Sequence, residues 1–260
     1  MLRTSLRKIL GSAVFWGTSV LFAAIMVLGA FSDIAAAVNN PIPILYCFIV
    51  TSTVGIAHVL MPVISIIPFT FFYVDELDKK SVYYNLIRCS KRKYYFSNIF
   101  SALISSALVT VTALALFVIV CIIFGASLDT TPAFLSFFGG GTFYSWLEAG
   151  NSLGVMVLHF GAFILFSLPW GLVSLVVSLY TNNRYVIIAA PFILSMAFSY
   201  ITEMAALDFL NPGYMLLKGP LRQELWGGFF HALIYQLLCV LLLSGFYYFK
   251  SKRRYLYAGL

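Results

Sequence analysis

The chain has 260 residues, of which 62% are hydrophobic, 17% aromatic and only 10% charged, and its mean hydropathy is +0.96. A water-soluble domain is about half apolar and a quarter charged, so this composition excludes that class. The net charge of +7 does not point to nucleic acid, because the basic residues gather beside long apolar stretches, where anionic lipid headgroups account for them.

In chain order, the apolar stretches predict membrane spans near residues 11–31, 44–72, 98–124, 152–179, 185–201 and 228–249. Most are about 20 residues or longer, enough at 1.5 Å per residue to cross roughly 30 Å of hydrocarbon. The stretch from Ile99 to Gly125 is the clearest, since its only ionisable side chain is the thiol of Cys121. A membrane barrel would show short alternating segments instead of continuous runs. Helices satisfy their own backbone groups in lipid, so the expected fold is an all-α membrane protein with six transmembrane helices, a single domain over 1–260.

The first stretch follows Arg3, Arg7 and Lys8 and has the outline of a signal peptide, but it is longer than a usual apolar core. Ala35 to Ala37 is the nearest approach to a cleavage site, and the reading here is a retained first span. Lys and Arg then fix the orientation: Arg3, Arg7 and Lys8, Lys79 to Lys93, Arg184, and Lys250 to Arg254 hold every basic residue except Lys218 and Arg222. The alternate loops hold those two beside Asp33, Asp129, Glu148, Glu203, Asp208 and Glu224. By the positive-inside rule both termini are expected in the cytoplasm.

Two loops stand out. Residues 75–97 read DELDKKSVYYNLIRCSKRKYYFS, in which Val82, Tyr83, Leu86 and Ile87 share one helical face while Lys80, Arg88, Lys91 and Arg92 lie largely elsewhere. Asp75, Glu76 and Asp78 come first and the cations last, the order that favours a helix dipole. A short amphipathic surface helix is predicted, serving either as a lipid-facing linker or as a docking element for a cytoplasmic protein. Residues 202–228 are broken by Asn211-Pro212-Gly213 and Gly219-Pro220 into pieces too short to span, and fit either a re-entrant segment or a plain external loop. The external stretch 126–151 carries Gly139-Gly140-Gly141 among aromatic residues; it lacks the GxxxxGK[ST] pattern of a phosphate-cradling loop and reads as an interfacial aromatic segment.

Residues for chemistry are sparse. No Asp, Glu, Lys or Arg lies near the middle of a predicted span, although such groups mark proton and ion pathways when they occur. His58 is expected deep in the second span, with His159 and His231 near the outer ends of the fourth and sixth; no HExxH or similar spacing accompanies them, and helix packing is the reading for each. Cys47, Cys89, Cys121 and Cys239 are widely spaced and show neither a metal pair nor a disulfide framework. Ser167, Gly171, Ser174 and Ser178 form a ladder of small residues, as do Ser101 and Ser105, for close packing within the bundle or a dimer seam. Pro62, Pro68, Pro169 and Pro191 are expected to kink helices or mark their ends.

The DEL of 75–77, the YYNLIRCSKRKYYFSNIF of 83–100 and the LNPGYML of 210–216, set in six spans, resemble the type-2 permeases of ABC transporters. That resemblance implies a permease subunit of an ATP-driven exporter, two copies or two related chains forming a homodimer or heterodimer in the bacterial cytoplasmic membrane. It implies a coupling helix docked in a groove of a separate cytoplasmic ATPase, with Asp75, Glu76, Asp78, Tyr83, Tyr84, Leu86, Ile87, Arg88 and Ser90 as the contact residues. ATP and Mg would be bound by that partner, this chain holding no cofactor and no catalytic site of its own. The cargo, an amphipathic peptide, antibiotic or lipid-like molecule, would pass along spans one, two and five. The long glycine-rich loop between spans three and four departs from the family pattern. A secondary carrier or channel, or a membrane-embedded enzyme, immunity factor or assembly factor, are the rival readings.

Overall fold

The computed structural model describes residues 2–53, 55–78, 90–130, 146–205, 207, 210 and 225–257. Among them the secondary structure is helical: α1 (Leu2–Leu10), α2 (Ala13–Gly29), α3 (Phe31–Ala36), α4 (Ile44–Thr53), α5 (Ala57–Ile64), α6 (Ile67–Asp78), α7 (Lys91–Ile123), α8 (Ser152–Val177), α9 (Arg184–Met204) and α10 (Leu225–Tyr257). Five stretches are long and apolar enough to cross a membrane: α5 with α6, then α7, α8, α9 and the Ala232–Ser251 part of α10. A sixth is added when α1 and α2, bent by 60° at their junction, are counted as one span. The glycine-rich segment at 139–141 and the Asn211-Pro212-Gly213 and Gly219-Pro220 breaks lie outside the described residues.

The third to sixth predicted spans are present with small shifts, whereas the stretch expected to cross at 44–72 is not one helix. α4 is about 15 Å long, too short to cross. Both its ends are tied to the side of the bundle away from the basic residues. The Ile44 N–H donates to the carbonyl of Ser127, just beyond the end of α7 (2.9 Å), and the Thr51 hydroxyl donates to the carbonyl of Met26, near the end of α2 (2.8 Å). The crossing is made by α5 and α6, which carry the chain from Ala57 to Asp78. Pro62 lies inside α5 and Pro68 in the first turn of α6, where its missing N–H costs nothing. His58, expected deep in the span, is therefore the second residue of α5, in the first turn of the span.

The centre of the bundle is the seam of α7 with α8, flanked by α2, α5 and α10. Phe22, Phe48 and Phe163 meet there, with Phe163 5.4 Å from Phe48 and 6.1 Å from Phe22. Small residues permit this approach: a Cβ on Gly171 would stand 2.9 Å from the carbonyl oxygen of Ala102. The Ser167–Gly171–Ser174–Ser178 ladder thus packs α8 within the bundle, its hydroxyls bonded back to their own helix at Ile164, Gly171 and Leu175. Between helices, the Thr112 hydroxyl donates to Ser19 Oγ at 2.8 Å, joining α7 to α2. The end of α7 is closed by Gly125 at φ 87°, with the Ala126 and Gly125 N–H groups bonded to Cys121 and Ile122. Cys121 lies in thiol contact with Cys47 of α4, both buried and free. α9 and α10 are the spans least covered by the rest of the chain, and they present Ile193, Ile201, Leu238, Leu241 and Leu242 outward.

Gly171→Val should lower the unfolding temperature in detergent micelles by an amount equivalent to about 1–3 kcal/mol, because a backbone carbonyl cannot move aside. Gly161→Ala, where a new methyl meets open space, should leave it unchanged or raise it slightly.

Candidate functional site

The segment that the sequence marks for docking begins where α6 ends. Asp75, Glu76 and Asp78 occupy the last turns of α6, next to the negative pole of its dipole, where a carboxylate is unfavourable. Arg184 opens α9 beside that helix's positive pole, where a cation is equally out of place. The two misplacements cancel across the interface: Arg184 Nη2 donates to Asp75 Oδ1 at 3.2 Å, stands 3.8 Å from Asp78 Oδ2, and its guanidinium lies 5.2 Å from the Phe71 ring centroid. Asn183 holds Arg184 in place by capping α9, its Oδ1 accepting from the Tyr185 N–H at 3.0 Å. Since 33% of Arg184 and 51% of Asp75 remain exposed, the pair contributes no more than about 1 kcal/mol.

The other edge of the segment is seated by aromatic residues. Ser90 is the N-cap residue of α7, and Lys91 to Ser97, expected in the surface helix, form that helix's first two turns. Tyr94, Tyr95 and Asn98 are buried there, Tyr95 and Asn98 against Tyr247 of α10, which in turn meets Tyr73 of α6. The Tyr247 hydroxyl accepts from Asn98 Nδ2 and meets the Tyr73 hydroxyl, each at 3.4 Å. Tyr95 stands edge-on to Tyr247 and Tyr248, at 6.4 and 5.9 Å between ring centroids. One cluster thereby joins three helices through rings and weak hydrogen bonds.

α1 completes this end. Its Ile9 is buried against the bundle while Arg3, Arg7 and Lys8 are exposed, the pattern of a helix lying at a headgroup surface. Lys8 is within electrostatic reach of Glu76. Ser12 makes the turn into α2: its hydroxyl donates to the Ile9 carbonyl at 2.6 Å and its Oγ accepts from the Phe15 N–H at 3.2 Å. Near Arg184, Lys250 lies 5.5 Å from the ring centroid of Tyr180.

Of the predicted contact residues, Asp75, Glu76, Asp78 and Ser90 are thus placed at one end of the bundle. Tyr83, Tyr84, Leu86, Ile87 and Arg88 lie outside the described residues. Sequence reasoning passed over Arg184 and Tyr247. The signal for the first was there: a single cation between the fourth and fifth spans, facing three acids at the end of the second. Away from this end, His159 is buried with its Nδ1–H donated to the Val155 carbonyl at 2.9 Å, a helix-internal bond. Among the described residues no three His, Cys, Asp or Glu side chains converge as metal ligands would.

Compared with protein-family models, with curated proteins and with solved structures, the chain finds no match.

Charge reversal tests the clamp. Arg184→Glu at low salt should lower stability by up to about 1 kcal/mol, Asp75→Arg with Arg184→Glu should restore most of it, and raised salt should erase the difference. Tyr247→Phe should cost about 1 kcal/mol at any salt concentration, since it removes the hydroxyl shared by Tyr73 and Asn98. Both are read from thermal unfolding in detergent.

Proposed function

We propose that this chain is the permease subunit of an ATP-driven exporter, embedded in the bacterial cytoplasmic membrane with both termini inside. It works with a separate cytoplasmic ATPase and a second permease copy or a related chain. The observation that carries the reading is the way the 79–89 segment is held. Its entry is the last turn of α6, clamped to α9 by Arg184, and its exit is the first turns of α7, locked by Tyr95 and Asn98 to Tyr247 of α10 and through it to α6. A protein gripping the segment therefore moves α6 and α7 directly and α9 and α10 through those contacts. A plain linker needs no such seating.

Charge distribution supports the same reading. Among the described residues, every Asp, Glu, Lys and Arg lies towards the end of a span or beyond it, and a carrier coupled to protons or ions normally uses such a group at membrane depth. Work must then come from outside the bundle. ATP and its Mg sit on the partner, whose closure on the nucleotide would draw on the segment and switch access to the pathway between permeases. The interior offers hydroxyls in apolar walls, as at Ser19 and Thr112, which suits an amphipathic cargo such as a peptide, an antibiotic or a lipid-like molecule.

Affinity purification of the tagged chain from its own membranes should bring down a nucleotide-hydrolysing ATPase. Leu86→Asp combined with Arg88→Glu should weaken that association about 30-fold or more, the effect of removing an interface anchor, while the unfolding temperature stays put. Retained association in this variant would contradict the proposal. So would transport that stops when the proton gradient is collapsed at constant ATP, which identifies a secondary carrier.

A further inference from the structure

Two of the four cysteines, widely separated in the sequence, meet in the fold. The backbone sets the meeting place. α4 is tied to the chain leaving α7 by a short parallel bridge that sets Pro43 beside Ser127. Within it the Ile44 N–H donates to the Ser127 carbonyl at 2.9 Å, and the Ser127 N–H to that of Ile42 at 3.0 Å. Cys121, the third residue from the end of α7, belongs to the same turn, its carbonyl accepting from the Ala126 N–H at 2.9 Å. Cys47 is the fourth residue of α4, one turn in from the bridge. With the helices pinned this close by, the two thiols lie in contact, both fully buried in the apolar core. Cys239, by contrast, bonds Tyr235 of its own helix.

Two thiols in contact are one oxidation away from a bond. A zinc site would need three or four protein ligands, and among the described residues no third His, Cys, Asp or Glu joins this pair. Packing alone asks only for a small apolar residue at each position, and gives no reason for the two sulfurs to face each other. We propose that Cys47 and Cys121 are a disulfide site, joined as the chain folds so that α4 is covalently fixed to α7. Both lie towards the end of the bundle away from the basic residues, which faces the oxidising side of the membrane when the termini are inside. The proposal rests on that orientation, taken from the exporter reading, and not on the ATPase. The oxidant is the disulfide of a thiol–disulfide exchange protein on that side. One cysteine attacks the donor's S–S bond to give a mixed disulfide, and the second displaces the donor from it. One S–S bond forms here and one breaks on the donor, which takes up the two electrons and both thiol protons and leaves as a dithiol. Exchange precedes the seating of α4, and burial afterwards shields the bond from reduction. The loop so closed contains α5, α6 and residues 79–89, and α4 stays with α7 when α6 moves.

The full chain is recovered from its own membranes after acid quenching, unfolded with excess maleimide and no reductant, and its cysteine peptides are read by mass spectrometry. The peptides holding Cys47 and Cys121 should be linked in most chains, and alkylated there only when a reductant is added first. Cys89 and Cys239 should be alkylated from the start. In Cys47→Ala, Cys121 should become alkylable without reductant. Dithiothreitol should open the link about tenfold or more slowly in the folded chain than after unfolding, because the sulfurs are buried. Free thiols at 47 and 121 in chains taken from cells, or Cys121 still protected in Cys47→Ala, would overturn the proposal. Leu128→Cys, combined with Cys47→Ala and Cys121→Ala and labelled with a membrane-impermeant maleimide, separates the causes. Free thiols in the native chain with position 128 reached from outside defeat the disulfide alone, whereas position 128 protected in intact cells defeats the orientation that the exporter reading shares.

Discussion

Inside a bilayer a polar group has no water to turn to, and that constraint explains most of what this chain does with its few polar side chains. Many serine and threonine hydroxyls bond back to their own helix, as Ser174 does to Gly171, and others reach a neighbour, as Thr112 does to Ser19 and Thr51 to Met26. Burial of apolar area cannot drive helix against helix when lipid is as apolar as leucine, so close contact has to come from shape. Gly171 against the Ala102 carbonyl is a point of close approach between α7 and α8, and other spans gather around that seam.

Charge follows the opposite pattern: it is pushed to the ends of the spans, and among the described residues the cations gather at one of them. There Asp75 and Arg184 each occupy the wrong pole of their own helix and the right pole of each other's. Such a contact is weak and responsive to salt, whereas the tyrosine cluster a short distance along the chain is buried and indifferent to it. A segment held by one yielding contact and one firm one can be moved without the bundle coming apart. On the exporter reading this is how a stroke from the ATPase would reach four spans while the seam of α7 and α8 stays closed.

Much of this was legible in the amino-acid order. The third to sixth spans announce themselves because a run of some 20 uncharged residues has few alternatives in lipid. The second does not, since 44–72 is one apolar stretch to a hydropathy reading, while Gly55 and two prolines divide it, and hydrogen bonds to Ser127 and Met26 decide where α4 goes. The small-residue ladder on α8 was readable from its spacing alone, though its partner, Ala102, was not. Arg184, Tyr247 and the meeting of Cys47 with Cys121 escaped because each is a contact between residues far apart in the chain. α1 escaped because nine residues with three cations read as a charged flank until one face is seen to pack.

The account depends on the end that carries Arg184, the tyrosine cluster and residues 79–89 facing the cytoplasm, where a motor can reach it. Cys89 lies in that segment, and a cysteine placed at the exposed Leu128 marks the opposite end. Labelling with a membrane-impermeant maleimide decides between the two orientations. Leu128→Cys should react in intact cells and Cys89 only after the membrane is opened; Cys89 reacting from outside, with position 128 protected, would contradict the account.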